Sequence, residues 1–272
     1  MRITILVDNR AAGGLSSEHG FAAWIRAPGG KVLFDTGQGP ALEANHRRLG
    51  TGLAGACAIV LSHGHYDHAG GLPYALRTCP QARVYVHPDA LRERWSVGVH
   101  PREISAAAGR AVVEKGGERI VWTRGPTDVA PGIHVTGEIP RRNRSEDVGG
   151  PYFRDRVGSR PDPIPDDQAL WVDTRAGVVV VLGCAHAGVV NTVAYVRELA
   201  GSPVNAVIGG MHLGSASAER IEATCDYLRE LDLRLVVPCH CTGAAAVRRM
   251  SRHLPGRVRR GHAGLVLDLP AA

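Results

Sequence analysis

One turn restricts this chain more than any other stretch: Leu61-Ser62-His63-Gly64-His65-Tyr66-Asp67-His68-Ala69-Gly70-Gly71. Three histidines and one carboxylate fall within six positions, directly after the apolar run Ala58-Ile59-Val60-Leu61. A short β-branched run followed by Ser and Gly predicts a buried strand that stops where the histidines begin. His63 and His65 are two apart and share a face in extended backbone. Asp67 and His68 are adjacent, so they converge only if the backbone curves, and the neighbouring glycines supply that freedom. A lone histidine is usually a satisfied core or surface residue. Four donors in one tight turn would crowd one another without a common partner, so the turn predicts a bound cation. Imidazole and carboxylate suit zinc, iron or manganese better than magnesium or calcium.

The same pattern returns later in the chain. Val178 to Leu182 leads into Gly183-Cys184-Ala185-His186, Asn205 to Ile208 into Gly209-Gly210-Met211-His212, and Leu233 to Val237 into Pro238-Cys239-His240-Cys241. Each is an apolar strand followed by a turn bearing histidine. Strand–turn–helix units carry such turns to one edge of a sheet, so histidines far apart in sequence can meet. Strands are also predicted at Ile3 to Val7, Phe21 to Ala27 and Lys31 to Asp35, the last two joined by a hairpin turn at Pro28-Gly29-Gly30. Helices are predicted at Ala41 to Leu49, Leu72 to Arg77, Pro88 to Arg94, Val189 to Leu199, Ser217 to Leu231 and Ala244 to His253. Residues from about 96 to 166 are the least regular, with weak strands near Arg119 to Trp122 and Ile133 to Thr136. That stretch ends in an arginine-rich run, Arg141, Arg142, Arg144, Arg154, Arg156 and Arg160. Most of these read as a solvated loop. The functional alternative is a lid in which one or two arginines grip a phosphate. Periodicity alone gives a mixed α/β protein.

With 44% hydrophobic but only 5% aromatic residues, the core has to be built from Val, Leu, Ile and Ala. None of the six cysteines forms a C-x-x-C pair, which leaves a structural zinc ribbon unsupported and favours free thiols in a reducing cytoplasm. The N-terminal run reaches Asp8 too soon for a signal peptide. No segment approaches the roughly 20 apolar residues of a membrane span. A soluble, cytoplasmic protein is expected. The net charge of +6 fits a small anionic substrate. Nucleic acid is disfavoured, because only Tyr152 and Phe153 interleave with the arginines. The oligomeric state stays open.

The pattern His63-x-His65-x-Asp67-His68 after a strand resembles the signature of the metallo-β-lactamase superfamily. Further blocks resemble the branch named after 7,8-dihydropterin-6-methyl-4-(β-D-ribofuranosyl)-aminobenzene-5′-phosphate synthase. They are Glu18-His19-Gly20, Leu33-Phe34-Asp35-Thr36-Gly37, Thr136-Gly137-Glu138-Ile139-Pro140-Arg141, Asp166-Asp167-Gln168-Ala169-Leu170, Gly183-Cys184-Ala185-His186-Ala187-Gly188, Gly209-Gly210-Met211-His212-Leu213 and Pro238-Cys239-His240-Cys241-Thr242-Gly243. The resemblance implies an α/β (α+β) fold, an αββα sandwich of two mixed β-sheets flanked by helices. It would form one domain over residues 1–272 with a lid-like insertion at about 96–166.

The resemblance also implies a ligand set. His63, His65 and His186 would hold a first metal, and Asp67, His68 and His240 a second. Zinc is foremost, one or two ions per chain, with iron, manganese or magnesium as alternatives. Asp35 would steady a ligand histidine through its other ring nitrogen; the plainer reading is a cap for the helix near Pro40. The superfamily commonly has a bridging Asp at the strand end occupied here by Gly209 to Leu213, where this chain offers His212. Imidazole bridges poorly unless deprotonated, so His212 is expected to bind one metal, touch substrate or donate a proton. Asp67, His212 and Asp167 are the candidates for proton handling, Asp167 otherwise being a turn residue. Arg141 and His19 lie in matching blocks and are expected to contact substrate. Cys239 and Cys241 flank His240, and alternation would turn both away as packing residues. Cys184, two before His186, could approach the metal but is left out of the ligand set.

The implied protein is a metal-dependent enzyme acting on a phosphorylated or pterin-like small molecule. It would use a metal-bound water, or transfer with a metal-stabilised pyrophosphate leaving group. The alternatives are a hydrolase of a phosphodiester, thioester or lactone and, less favoured, a nucleic-acid processing protein.

Overall fold

In the computed structural model, which describes residues 1–114 and 117–271, the strands sort their side chains by alternation. Along Val178–Leu182, Val179 and Val181 enter one apolar cluster, while Val178, Val180 and Leu182 enter another. Along Gly30–Phe34, Val32 and Phe34 join that first cluster and Leu33 joins a third. The shared cluster is the seam between two sheets. The other two clusters lie beneath helices: Leu42, Leu72 and Ala75 on one side, Val193, Ile221, Leu228 and Met250 on the other. A strand buried on both faces reads as continuously apolar rather than alternating, as Val178–Leu182 does. These layers make the αββα sandwich that the sequence led us to expect.

The first sheet has seven strands in the order Val266–Asp268, Arg2–Val7, Ala22–Ala27, Gly30–Phe34, Ala58–Val60, Arg83–Val86 and Ile120–Trp122. Its first four strands pair antiparallel and the rest parallel. The second sheet has six, in the order Leu235–Cys239, Val204–Gly210, Val178–Leu182, Leu170–Val172, Ile133–Val135 and Thr127–Ala130. There the first three pair parallel and the rest antiparallel. No described helix is long and apolar enough to cross a membrane.

The stretch expected to be an irregular insertion differs from that expectation. It carries the helix Ala107–Glu114, the last strand of the first sheet and two outer strands of the second. Much of it is therefore framework crossing between sheets. What it adds over the site is a small sheet of Trp95–Ser96, Arg102–Glu103 and Tyr152–Phe153. The helix predicted from Pro88 to Arg94 is only the 3-10 turn Pro88–Leu91, ended by extended backbone at Arg92. The chain turns inward there to bury Arg94, which is 0% exposed. The Arg94 guanidinium pairs with Asp166, lies 2.9 Å from Asp162 Oδ2 and donates to the Asp89 carbonyl at 3.0 Å. Asp166 in turn accepts the Gly64 N–H at 2.8 Å. A buried ion pair thus props the backbone between His63 and His65.

Candidate metal centre

Val178–Leu182, Val204–Gly210 and Leu235–Cys239 are parallel neighbours, so the turns that follow them emerge at one edge. The backbone is strained there. Asp35, Ala185, His212 and His240 hold positive φ angles of 58°, 56°, 46° and 45°. A side chain in that region costs on the order of 1–2 kcal/mol, and such strain gathers at functional sites. Close approach sets two glycines. A Cβ on Gly183 would stand 2.0 Å from Ser62 Oγ, and one on Gly149, at φ 86°, would stand 1.9 Å from the His212 ring.

Two donor sets result. His63, His65 and His186 each offer one nitrogen, all within 4.8 Å of one another. Beside them Asp67, His68 and His240 close a triangle: Asp67 Oδ2 is 3.3 Å from His240 Nε2 and 3.8 Å from His68 Nε2, and the two Nε2 atoms are 3.3 Å apart. The His63 and His68 rings, one from each set, have centroids 4.3 Å apart. His19 joins the second set, with Nε2 3.2 Å from Asp67 Oδ2. The six residues expected to be ligands are therefore gathered in one place. The sets border a cavity of about 340 Å³ whose walls include His19, Tyr152, Cys184, His212 and Cys241, at the low end of the ~300–1,000 Å³ typical of ligand clefts.

Most of these imidazoles have one nitrogen held and the other presented. Asp35 Oδ2 sits 2.7 Å from His68 Nδ1 and accepts from Ser62 Oγ, which lies 2.9 Å from His63 Nδ1. Asp35 is thus an orienting group, and the helix it might have capped starts instead from Gly39 with no side-chain cap. Asn9 Oδ1 lies 2.7 Å from His240 Nδ1, and the Val148 carbonyl 2.7 Å from His186 Nδ1. His65 Nε2 and His186 Nε2 are buried without any hydrogen-bond partner. Buried polar atoms are rarely left so, and a bound cation would satisfy them. The donor set of nitrogens, carboxylate and nearby thiol fits zinc or a similar divalent ion. Burial, reinforced by neighbouring imidazoles, holds His63 and His186 well below the usual histidine range. Burial and then Arg94 bring His65 down to about 3. These rings stay neutral, the form that can ligate. Burial works against charging His68 too, but Asp35 and Asp67 outweigh it and raise the ring to about 9. For Asp67, burial is outweighed by His68, His19 and His240, and the carboxyl stays well below its usual range.

Two expected outcomes follow. Asp35→Asn should weaken metal binding by about 10–100-fold, as removal of such outer partners does; competition with a graded chelator series reads this, and unchanged affinity would discard the orienting role. The second outcome concerns the chelated protein. His63, His65 and His186 have folded pKa values below the unfolded 6.5, so the folded state binds fewer protons below that pH. Their contribution is intact above 6.5 and lost as pH falls toward about 3. His68 works in the opposite sense: its contribution is intact below 6.5 and lost as pH rises through about 9. Below 6.5 the His68 contribution is constant, so the three depressed rings should pull the urea midpoint of chelated protein down as pH is lowered from 6.5. A midpoint that holds level there contradicts the neutral-ring assignment.

Several expectations need correcting. Asp167 does not face the cavity; it is buried, accepts the Ala187 N–H at 2.7 Å, and so pins the backbone just after His186. Burial raises its carboxyl to about 6. Arg141 is also elsewhere, its guanidinium spent on the carbonyls of His186, Pro163 and Ile164. Arg142, Arg154 and Arg160 are committed to Glu198, Asp89 and Asp155. The cation in the cavity wall is instead Arg102, over the Tyr66 ring at 5.3 Å, and the sequence reading missed it. Cys241 is not turned away. His240–Thr242 is a 3-10 turn rather than a strand, which breaks the alternation and brings Cys241 to the cavity. Cys239 does pack in the seam between the sheets. Cys184 is nearer than expected, with Sγ 3.1 Å from His68 Nε2. Asp8 and Asn9, read as a polar stop after the first strand, fix His240 through its backbone N–H and its ring. His212 lines the cavity, with Nε2 3.2 Å from Tyr152 Oη and 3.1 Å from the Gly149 carbonyl.

The geometry has counterparts among known proteins. A profile of the metallo-beta-lactamase superfamily matches residues 18–240. An uncharacterised protein of Methanocaldococcus jannaschii is 32% identical over 269 residues, 98% of this chain and 100% of that one. The 7,8-dihydropterin-6-methyl-4-(beta-D-ribofuranosyl)-aminobenzene-5'-phosphate synthase of the same organism is 29% identical over 266 residues, 92% of this chain and 90% of that one. Among solved structures, a metal-dependent hydrolase of the beta-lactamase superfamily superposes with a TM-score of 0.86 at 33% identity, covering 99% of each chain. Human tRNase Z, short form, shares the fold alone, with a TM-score of 0.55 at 13% identity over 99% of this chain and 100% of that one.

Proposed function

The chain belongs to the metallo-beta-lactamase superfamily, and from that premise we propose that it is a metal-dependent enzyme acting on a phosphorylated, pterin-like small molecule. The observation that carries this reading is the pair of donor sets, His63/His65/His186 and Asp67/His68/His240, opening on one cavity. Divalent ions held there would supply Lewis acidity to a phosphoryl or ester oxygen. Arg102 in the wall is placed to take the substrate's anionic group, a task a guanidinium performs bidentately. His212 holds a proton near its Nε2, between Tyr152 Oη and the Gly149 carbonyl, while its Nδ1 has no partner. Burial disfavours charge on this ring, but Cys241 and the Gly149 carbonyl outweigh it and raise its pKa. A ring whose charged form is favoured in this way is suited to donate a proton to a departing oxygen. Tyr152 lines the same cavity, with its Oη beside that nitrogen.

The likeness to the dihydropterin synthase favours transfer, in which a dihydropterin diphosphate would release pyrophosphate as an aminobenzene ribosyl phosphate is joined at the pterin methyl. The likeness to the metal-dependent hydrolase favours the second reading, hydrolysis of a phosphodiester, thioester or lactone. Metal-loaded protein incubated with the two pterin-pathway substrates, and separately with a generic phosphodiester, a thioester and a lactone, separates them. Joined product with released pyrophosphate supports the first reading, and turnover of the simple esters alone supports the second. Fully loaded protein that turns over none of them would remove the enzymatic proposal.

A further inference from the structure

Cys184 lies between the two donor sets. Its Sγ is 3.1 Å from His68 Nε2, the nitrogen left free when Asp35 holds Nδ1. With His63 and His68 it forms a buried trio whose donor atoms all lie within 4.8 Å of one another. It thereby lies near one member of each set. His212 groups instead with Cys184 and Cys241; its Nε2 is engaged by Tyr152 and Gly149, and its ring packs against His186 with centroids 4.4 Å apart. Cys241 groups only with Cys184 and His212, outside both sets. The backbone supports the arrangement. Gly183 lets the chain press on Ser62, and the positive φ of Ala185 turns the chain between Cys184 and His186.

We propose that Cys184, as a thiolate, is the ligand shared by the two metal positions. A sulfur anion has lone pairs for two cations and suits zinc-like ions. The step is a ligand exchange: the S–H bond breaks, its proton leaves to solvent, and sulfur–metal bonds form without oxidation or reduction. A coordinating thiol is deprotonated outright, whatever its state in the metal-free chain. Cys241 lies beside it, with Sγ 3.4 Å from Cys184 Sγ. The inference rests on the metal-centre reading above and adds one residue to it.

Cobalt(II) loading of the whole protein tests it, with absorption spectra as the readout. Wild type and Cys241→Ser should show a thiolate-to-cobalt charge-transfer band in the near ultraviolet together with visible d–d bands. Cys184→Ser should keep the visible bands and lose the ultraviolet one. A band that survives in Cys184→Ser overturns the proposal, as does a wild-type protein that binds cobalt with no such band. Wild type that binds no cobalt overturns the metal-centre reading itself, so the two failures are distinct. X-ray absorption of the loaded Cys241→Ser protein removes any dependence on the folding of Cys184→Ser. A sulfur shell at about 2.3 Å is expected, and its absence overturns the assignment.

Discussion

The double variant His63→Ala/His186→Ala should fold, lose the ion of the first donor set and drop in turnover by about 10³-fold or more. A Lewis-acid ion contributes several kcal/mol to a transition state, and each ~1.4 kcal/mol is a factor of ten. Two rings are removed together because a lone deletion leaves two nitrogens and the neighbouring set to retain an ion. The fold survives because these rings contribute little to packing energy that alanine would forfeit. They are buried, neutral and crowded, with His63 and His65 ring centroids 4.5 Å apart and His63 and His186 4.8 Å apart. Relieving that crowding offsets part of the volume lost. Metal analysis by mass spectrometry, with circular dichroism and turnover on the same preparation, gives the answer. Metal content equal to wild type would overturn the ligand assignment, and equal turnover would sever the chemistry from the metal.

The second large effect is on stability. Arg94→Leu should cost about 3–5 kcal/mol, the usual consequence of removing one partner from a buried ion pair, and lower the melting temperature by roughly 10 °C. The cause is what remains: Asp162 and Asp166 both have side chains 0% exposed, Asp166 loses its counter-charge, and Asp162 keeps only Arg154 at 3.3 Å. Burial would raise Asp166, but Arg94 outweighs it and keeps the carboxyl low. Without the guanidinium, Asp166 must take a proton or find water, and its hold on Gly64 N–H loosens. Metal affinity should therefore fall along with stability, although Arg94 contacts no ligand atom. Replacing Arg94, Asp162 and Asp166 together by apolar residues should restore much of the stability but not the affinity. Urea unfolding of the metal-free and loaded forms measures both. A change below about 1 kcal/mol would show that the pair is not the strut described.

The parts of this protein that were legible in its sequence are those governed by local rules. An apolar run ending in glycine and histidine announces a strand and a presented ligand, and it does so at His63, His186, His212 and His240 alike. Val178–Leu182, apolar at every position, announces a strand buried on both faces. What could not be read depends on partners distant in the chain. The matching block around Arg141 pointed to the wrong cation; only the fold puts Arg102 in the cavity wall and ties Arg141 to three carbonyls. Asp8 and Asn9 meet His240 across a separation of 231 residues or more, and Arg94 meets Asp166 across 72. Cys241 was misplaced because a period of two was extended past the strand's end, into a turn whose first residue has a left-handed φ.

The donor sets draw from both sheets, and this sets an order of events during synthesis. A nascent chain emerges from the ribosome with the His63–His68 turn early, whereas His240 follows His68 by 172 positions. Until then the early turn is a partial chelate, able to pick up an ion loosely and release it. The second donor set can be completed only once His240 has emerged, and a captured cation would join two layers synthesised on the order of ten seconds or more apart.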